Sequence, residues 1–325
     1  MILLVMCALS GFATAQSDPS EVHVSPRIAR NSAEPALAPP PDPSLRTYTR
    51  PLRSDVELVL VPLTVTDEWD RLVTGLEKDN FEIYEDKEKQ LIRNLSSEDA
   101  PISVGVIFDM SGSMSDKIDK SKEAVVQFMQ TANPEDEFFI IGFSDRPELL
   151  ADFTDSVGDI QSKLVTANAK GMTALLDAVY LGMNEMKHAK HRRKALLIIS
   201  DGGDNHSRYT EREIKSAVME GDVQIFAIGL FDQTPRTPEE RYGPLLLTEL
   251  TDLTGGRTFV IGSPNELPDV ATKIGAQLRN EYVLAYASAK KPKDGKWHKI
   301  RVKLLPPKGL PRLSIHSKQG YYANQ

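Results

Sequence analysis

The middle of the chain alternates between short apolar runs and amphipathic stretches. Apolar runs of strand length predict strands at 104–108, 138–143, 195–199, 223–228 and 258–261. Stretches with helical spacing between them predict helices over 115–131, 174–187, 211–220, 245–253 and 266–279. Continuously apolar strands that alternate with helices are typical of a mostly parallel sheet covered on both faces. The sequence therefore predicts an α/β fold with a doubly wound, mostly parallel, Rossmann-like sheet over residues 100–280.

The two flanks of this region show a different pattern, in which apolar and polar residues alternate with a period of two. Such stretches lie at 56–66 and 81–85 before it, and at 282–286, 297–304 and 313–316 after it. Neither flank is long enough to bury a secure core by itself. We therefore predict that an N-terminal β segment (54–99) and a C-terminal β segment (281–325) pack together as one small, discontinuous β module.

The first 53 residues have the composition of a targeting segment followed by a linker. Residues 1–15 carry no charged side chain and end in Ala13-Thr14-Ala15, which predicts a secretory signal peptide cleaved after Ala15. A retained anchor, a buried core segment and lipidation at Cys7 are the alternatives. Residues 16–53 hold eight of the 21 prolines and few large apolar residues, which predicts a disordered, Pro-rich linker. We expect an exported protein that is located in the periplasm or outside the cell; association with the cell envelope is an alternative.

Composition and charge exclude several classes of protein. The 325 residues include 39 Lys and Arg against 46 Asp and Glu, a net charge of −7, which argues against a binder of nucleic acids or anionic membranes. Cys7 is the only cysteine, so an intrachain disulfide and a Cys-based zinc site are excluded. No run of eighteen apolar residues exists, so we expect no transmembrane span in the mature chain.

Hard oxygen atoms cluster where the predicted strands end. Asp109, Ser111 and Ser113 follow the first strand of the α/β region, Asp201 follows the strand at 195–199, and Thr173 lies in a loop that leads into a helix. Ligands of doubly wound sheets bind beyond the carboxyl ends of the strands, where these residues can converge. Oxygen-rich ligation suits Mg²⁺, with Mn²⁺ or Ca²⁺ as alternatives.

Two other features near these motifs are expected to be structural. We interpret Asp145 and Asp204 as solvated loop residues. Gly255-Gly256 matches neither a dinucleotide-binding nor a phosphate-binding fingerprint, and predicts a helix C-cap.

The motif set resembles a known family. Asp109-x-Ser111-x-Ser113, Thr173 within Gly-Met-Thr-Ala-Leu-Leu-Asp-Ala, and Ser-Asp201-Gly are similar, in order and context, to the metal-ion-dependent adhesion site of von Willebrand factor type A (VWA) domains. The resemblance covers about residues 100–280. It implies that the two serines and the threonine approach a metal ion directly, while the aspartates often act through water. Segments at 59–66, 79–83, 98–104 and 320–322 also resemble the VWFA-related proteins of Acidobacteria.

These features favour an exported, metal-dependent protein-binding module for adhesion or assembly. In this hypothesis, a partner protein supplies an Asp or Glu carboxylate that completes the shell of the cation. The sequence contains no recognisable set of nucleophile, base and orienting group, so we predict no catalytic residues and no enzyme activity. The alternatives are a metal-assisted hydrolase and a structural scaffold whose metal stabilises the fold.

Overall fold

A computed structural model describes residues 58–97, 99–201, 203–231, 237–290, 294–307 and 309–323. The predicted signal peptide (1–15) and Pro-rich linker (16–53) lie outside these residues. No helix within the described ranges is long and apolar enough to cross a membrane.

Fourteen strands and six α-helices follow one another along the described residues. The strands are β1 (Val59–Asp67), β2 (Phe81–Glu85), β3 (Glu88–Gln90), β4 (Ile92–Ser96), β5 (Ile102–Asp109), β6 (Glu137–Phe143), β7 (Pro147–Thr154), β8 (Arg193–Ser200), β9 (Gln224–Leu230), β10 (Thr258–Ile261), β11 (Tyr282–Tyr286), β12 (Trp297–Leu304), β13 (Leu313–Ser317) and β14 (Gly320–Tyr322). The α-helices are α1 (Ile118–Gln130), α2 (Val157–Val165), α3 (Leu175–Glu185), α4 (Glu211–Glu220), α5 (Pro238–Thr254) and α6 (Leu267–Arg279).

The central sheet has six strands in the order β10-β9-β8-β5-β6-β7. All neighbouring pairs are parallel except β6 and β7. Helices α1, α2 and α6 pack on one face and α3, α4 and α5 on the other, each set around its own apolar cluster. Strand β5 supplies both clusters, because its side chains alternate between faces and every residue of the strand is buried. The predicted doubly wound, mostly parallel α/β fold is confirmed.

One strand and two helices of the α/β region differ from the sequence-based prediction. Strand β7 and helix α2 were not predicted; β7 lies at the sheet edge with exposed Glu148 and Asp152, so its apolar pattern is weak. Helix α5 begins at Pro238 rather than at residue 245, because the side chain of Thr237 caps it by accepting a hydrogen bond from the Glu240 amide at 3.2 Å.

The residues that flank the α/β region form two antiparallel four-stranded sheets. Their orders are β13-β1-β11-β4 and β14-β12-β2-β3, so each sheet combines strands from before and after the α/β region. Both sheets contribute to one apolar cluster, which includes Leu63, Ile83, Tyr282 and Ile300. We call this pair of sheets the β-sandwich. The predicted small β module beside the parallel sheet is thus present, while the domain boundaries at 54–99, 100–280 and 281–325 stay a prediction.

Contacts between charged and polar side chains join the β-sandwich to the α/β region. Glu281, which precedes β11, is buried and accepts hydrogen bonds from Arg193 (Nη2, 3.1 Å) and Gln224 (Nε2, 2.7 Å). Asp70, in the loop after β1, pairs with Arg257 and Lys273 of the α/β region. Burial raises the pKa of Glu281, although Arg193 and Gln224 oppose that effect.

The stability of the β-sandwich is expected to decrease as His298 loses its proton. Its Nδ1 lies 2.7 Å from Asp86 Oδ2 and its Nε2 lies 3.1 Å from Asp294 Oδ1. Burial lowers the pKa of His298, but the bonds to Asp294 and Asp86 outweigh burial and raise it above the usual value. This stabilisation is therefore complete below about pH 6.5, the pKa of an unfolded histidine, and is lost as the pH rises through the folded pKa.

Urea unfolding of the wild type and of His298→Gln between pH 5.5 and 9 measures this effect. The wild type is expected to be more stable by about 1 kcal/mol at the acidic end, a modest value because both aspartates are partly exposed. The difference should shrink towards the alkaline end. A difference that does not change with pH would show that His298 acts only through packing.

Candidate metal centre

The predicted site lies at the carboxyl edge of the central sheet. Asp109 is the last residue of β5, and Asp201 directly follows β8. Strands β5 and β8 are parallel neighbours in which Phe108 is opposite Ile199, so the two aspartates leave the sheet side by side. Parallel pairing thereby brings together two acids that are 92 positions apart (201 − 109) in the sequence.

Asp109 is buried and held at both carboxylate oxygens. The Ser111 amide donates to Oδ1 at 2.8 Å, and the Ser200 hydroxyl donates to Oδ2 at 2.5 Å. Burial and the charge of Asp201 raise the pKa of Asp109, although the bonds from Ser111 and Ser200 act in the opposite direction. The protein thus holds two acidic groups close together where neither is well hydrated, an arrangement that a bound cation would stabilise.

Ser113 lies in a short 3-10 turn, Gly112–Met114, that follows β5, and Ser111 is the residue directly before this turn. The hydroxyl oxygens of the two serines are 3.0 Å apart. Ser111 is buried and Ser113 is exposed, so the site opens to solvent on the side of Ser113. The Gly112 amide donates to the Gly171 carbonyl at 3.0 Å, which places the loop containing Thr173 against the serine turn.

Thr173 is anchored to the loop that follows Asp201. Its amide donates to Asn205 Oδ1 at 2.9 Å, and its carbonyl accepts from the amides of Asn205 (3.0 Å) and His206 (3.1 Å). Thr173 is buried beside the exposed Met172. The structure therefore links Asp109 to Ser111 and Ser111 to Ser113 by hydrogen bonds. The loop of Thr173 is tied to the serine turn through Gly171 and to the loop after Asp201 through the main chain of Thr173.

Several residues that shape the site were missed or misinterpreted in the sequence. Lys117 Nζ lies 3.3 Å from Asp201 Oδ2, and Ser200 and Asn205 orient Asp109 and Thr173 as described above. The hydroxyl of Ser200 could have been noticed because it directly precedes the Asp-Gly motif. Nothing in the local sequence near Lys117 indicates its contact with Asp201.

Asp145 is an exposed loop residue, in agreement with the sequence-based interpretation, and Asp204 is a half-buried one, but both also accept hydrogen bonds that the interpretation did not include. Asp145 Oδ1 accepts a hydrogen bond from the Met172 amide at 2.7 Å. Asp204 Oδ2 accepts from the Leu176 amide at 2.9 Å and from the Ser207 hydroxyl at 2.5 Å. Both acids therefore fix the loop and the first turn of α3 around Thr173.

The residues at this edge fit a hard divalent cation. Two carboxylates and three hydroxyl groups offer only oxygen atoms, which Mg²⁺, Mn²⁺ and Ca²⁺ prefer, and hydroxyl ligands leave room for water or another anion in the shell. The like-charged pair of Asp109 and Asp201 gives a physical reason for a cation at this position.

Comparison with known proteins agrees with the fold. Residues 104–203 match the family model of the von Willebrand factor type A domain. This part of the chain is therefore similar to VWA domains, whose adhesion-site motifs bind divalent cations.

Individual relatives are distant. The chain is 25% identical over 146 residues to human inter-alpha-trypsin inhibitor heavy chain H4, covering 40% of this chain but only 16% of that protein. The structure of von Willebrand factor type A from Catenulispora acidiphila has the same fold, with a TM-score of 0.50 and 15% identity over 84% of this chain and 64% of that chain. Proximal thread matrix protein 1 from the mussel byssus, with a zinc-occupied adhesion-site motif, gives a TM-score of 0.48 at 17% identity, covering 60% and 49% of the two chains.

Proposed function

We propose that this chain is an exported, metal-dependent protein-binding module for adhesion or assembly. In this proposal, Asp109, Ser111, Ser113, Thr173 and Asp201 hold a divalent cation, for which Mg²⁺ is the first candidate. The cation accepts a carboxylate from an Asp or Glu of the partner protein. The observation that carries this proposal is the buried, like-charged pair of aspartates beside three hydroxyl groups, on an edge that is open to solvent at Ser113. VWA domains typically bind proteins through such sites.

The chain's own residues would prepare the site before a partner arrives. Ser200 and the Ser111 amide hold Asp109, and Asn205 holds Thr173, so the oxygen ligands need little reorganisation. The cation would supply a positive charge that attracts the carboxylate. Met172 has 47% of its surface exposed next to Thr173 and offers an apolar contact to the rim of the partner surface.

Export and the absence of catalysis are parts of the same proposal. Export rests on the uncharged residues 1–15 and their Ala-Thr-Ala ending. VWA domains are mostly non-catalytic binding modules. Within the part of the chain that the structure describes, no histidine forms a hydrogen bond with the side chains of Asp109, Ser111 or Ser113. The resemblance to the VWFA-related proteins of Acidobacteria falls mainly on β-sandwich strands, so we treat the sandwich and the VWA domain as one functional unit.

Retention of a partner from native envelope extract tests the proposal. The immobilised chain is incubated in Mg²⁺ or in EDTA, and with extract whose carboxylates are either intact or amidated. We expect a partner that is retained only in Mg²⁺ and only from intact extract, because the cation must receive a free carboxylate.

Two variants make this test specific to the site. Asp109→Ala should lose the partner, whereas Asp116→Ala, which removes a nearby exposed carboxylate, should retain it. Equal recovery in Mg²⁺ and EDTA, or from amidated extract, would contradict the proposal and direct attention to the β-sandwich.

A further inference from the structure

Lys117 places a positive charge at the predicted cation site. Its Nζ lies 3.3 Å from Asp201 Oδ2, and the residue has only 8% of its surface exposed. Its main chain is fixed where α1 begins. The Lys117 amide donates to the Met114 carbonyl at 2.9 Å, and its carbonyl accepts from the Ser121 amide and hydroxyl, both at 3.0 Å. The ammonium group therefore belongs to the site and is not a freely moving surface charge.

The ammonium group changes the charge balance of the site. Asp109 and Asp201 together contribute two negative charges when ionised, and Lys117 cancels one of them. A divalent cation would make a site without Lys117 neutral, whereas it leaves the site with Lys117 one positive charge in excess. Two cations at close range in a poorly hydrated site repel each other strongly, so the excess charge disfavours the cation alone. A carboxylate from outside removes the excess.

We infer that Lys117 pairs with Asp201 when no cation is bound and weakens binding of the cation alone. When the cation is bound, the carboxylate of the partner is then the group that restores the charge balance of the site. This inference rests on the proposed function and names the residue that couples its two ligands. Cation and carboxylate then bind with positive cooperativity, since each raises the affinity for the other by the same factor. If Lys117 only held Asp201 in position, replacing Lys117 would have the opposite effect, because the cation would then bind more weakly.

A calorimetric titration of the full chain with Mn²⁺ tests the inference without any partner. Lys117→Met removes the charge but keeps an apolar chain of similar length, and Lys117→Arg keeps the charge. We expect Lys117→Met to bind Mn²⁺ at least about tenfold more tightly than the wild type. The reason is that repulsion between the Lys117 ammonium group and a cation held beside Asp201 weakens binding by at least about tenfold at the effective dielectric constant of a protein. Lys117→Arg should stay within about threefold of the wild type, since its charge is kept.

Acetate serves as a carboxylate probe for the predicted cooperativity between the cation and the carboxylate. Saturating acetate should tighten Mn²⁺ binding to the wild type and to Lys117→Arg, and should have a clearly smaller effect on Lys117→Met. Lys117→Gln gives a second neutral variant if Lys117→Met does not fold, as judged by circular dichroism in EDTA.

The outcomes separate this inference from the proposed function. Mn²⁺ binding that is unchanged or weaker in both neutral variants would overturn the role of Lys117 and leave the cation site intact. Absence of Mn²⁺ binding in the wild type and in all variants would overturn the cation site itself, and the inference with it.

Discussion

Replacement of Asp109 by Asn is expected to abolish stabilisation by Mg²⁺ or Mn²⁺ without destabilising the metal-free protein. The first effect follows because the variant lacks one of the two carboxylates at the predicted cation site. The second follows because burial and the charge of Asp201 disfavour ionised Asp109, while the amide oxygen of Asn can still accept from the Ser111 amide. The variant also leaves Asp201 and Lys117 as a neutral pair.

Unfolding in urea with EDTA or with excess cation measures both effects. A cation at 100 times its dissociation constant should stabilise the wild type by about 2.7 kcal/mol and the variant by nearly nothing. In EDTA the variant should be at least as stable as the wild type. Asp116→Asn, which neutralises an exposed carboxylate near the same turn, should behave like the wild type in both conditions.

Two results would contradict this expectation. Equal stabilisation of Asp109→Asn by the cation would place the cation elsewhere in the chain. A large loss of stability in EDTA would mean that the hydrogen bonds from Ser111 and Ser200 outweigh the cost of the buried charge.

Replacement of Gly255 or Gly256 by Ala is expected to lower the free energy of unfolding by about 3 kcal/mol or more. Gly255 ends α5 with φ +84°, a left-handed conformation, and an added Cβ would lie 2.4 Å from the Lys318 amide nitrogen. At Gly256 an added Cβ would lie 1.9 Å from the Ile225 carbonyl oxygen. Both obstacles are main-chain atoms, which cannot rotate away as a flexible side chain can.

Gly262→Ala is the matched control for this series. Gly262 has no positive φ, and an added Cβ would have no atom within 4 Å, so the change should cost well under 1 kcal/mol. Urea unfolding of the three variants at one pH compares them directly. Losses at Gly255 and Gly256 as small as the loss at Gly262 would show that the main-chain atoms opposite these two glycines, at Lys318 and at Ile225, can move away at little cost.

The end of α5 matters because the β-sandwich meets the α/β region there through main-chain contacts. Thr254 forms an isolated bridge with Lys318, and the Gln319 amide donates to the Leu253 carbonyl at 3.3 Å. The sandwich therefore contacts the helix that precedes β10, in addition to the charged contacts of Asp70 and Glu281. A helix C-cap was predicted at Gly255-Gly256, but its close approach to β13 and β14 was not.

The features that depend on local composition could be predicted from the order of the amino acids. Strands buried on both faces need continuous apolar runs, so the inner strands of the parallel sheet could be recognised without structural information. The oxygen-bearing residues of the metal motif also follow strand ends in the sequence, where the topology of such sheets places ligands. Their assignment to a cation stays a prediction that the binding measurements above test.

The features that depend on residues far apart in the chain could be seen only once the chain was folded. The contact of Lys117 with Asp201 joins positions separated by 84 residues, and the pairing of Val61 with Leu284 joins the two flanks around the whole α/β region. Strand β7 was missed because an edge strand with one exposed face needs only a weak apolar pattern and is completed by its partner β6. Side chains and strands of this kind acquire their partners from the path of the chain, which no local pattern of residues specifies.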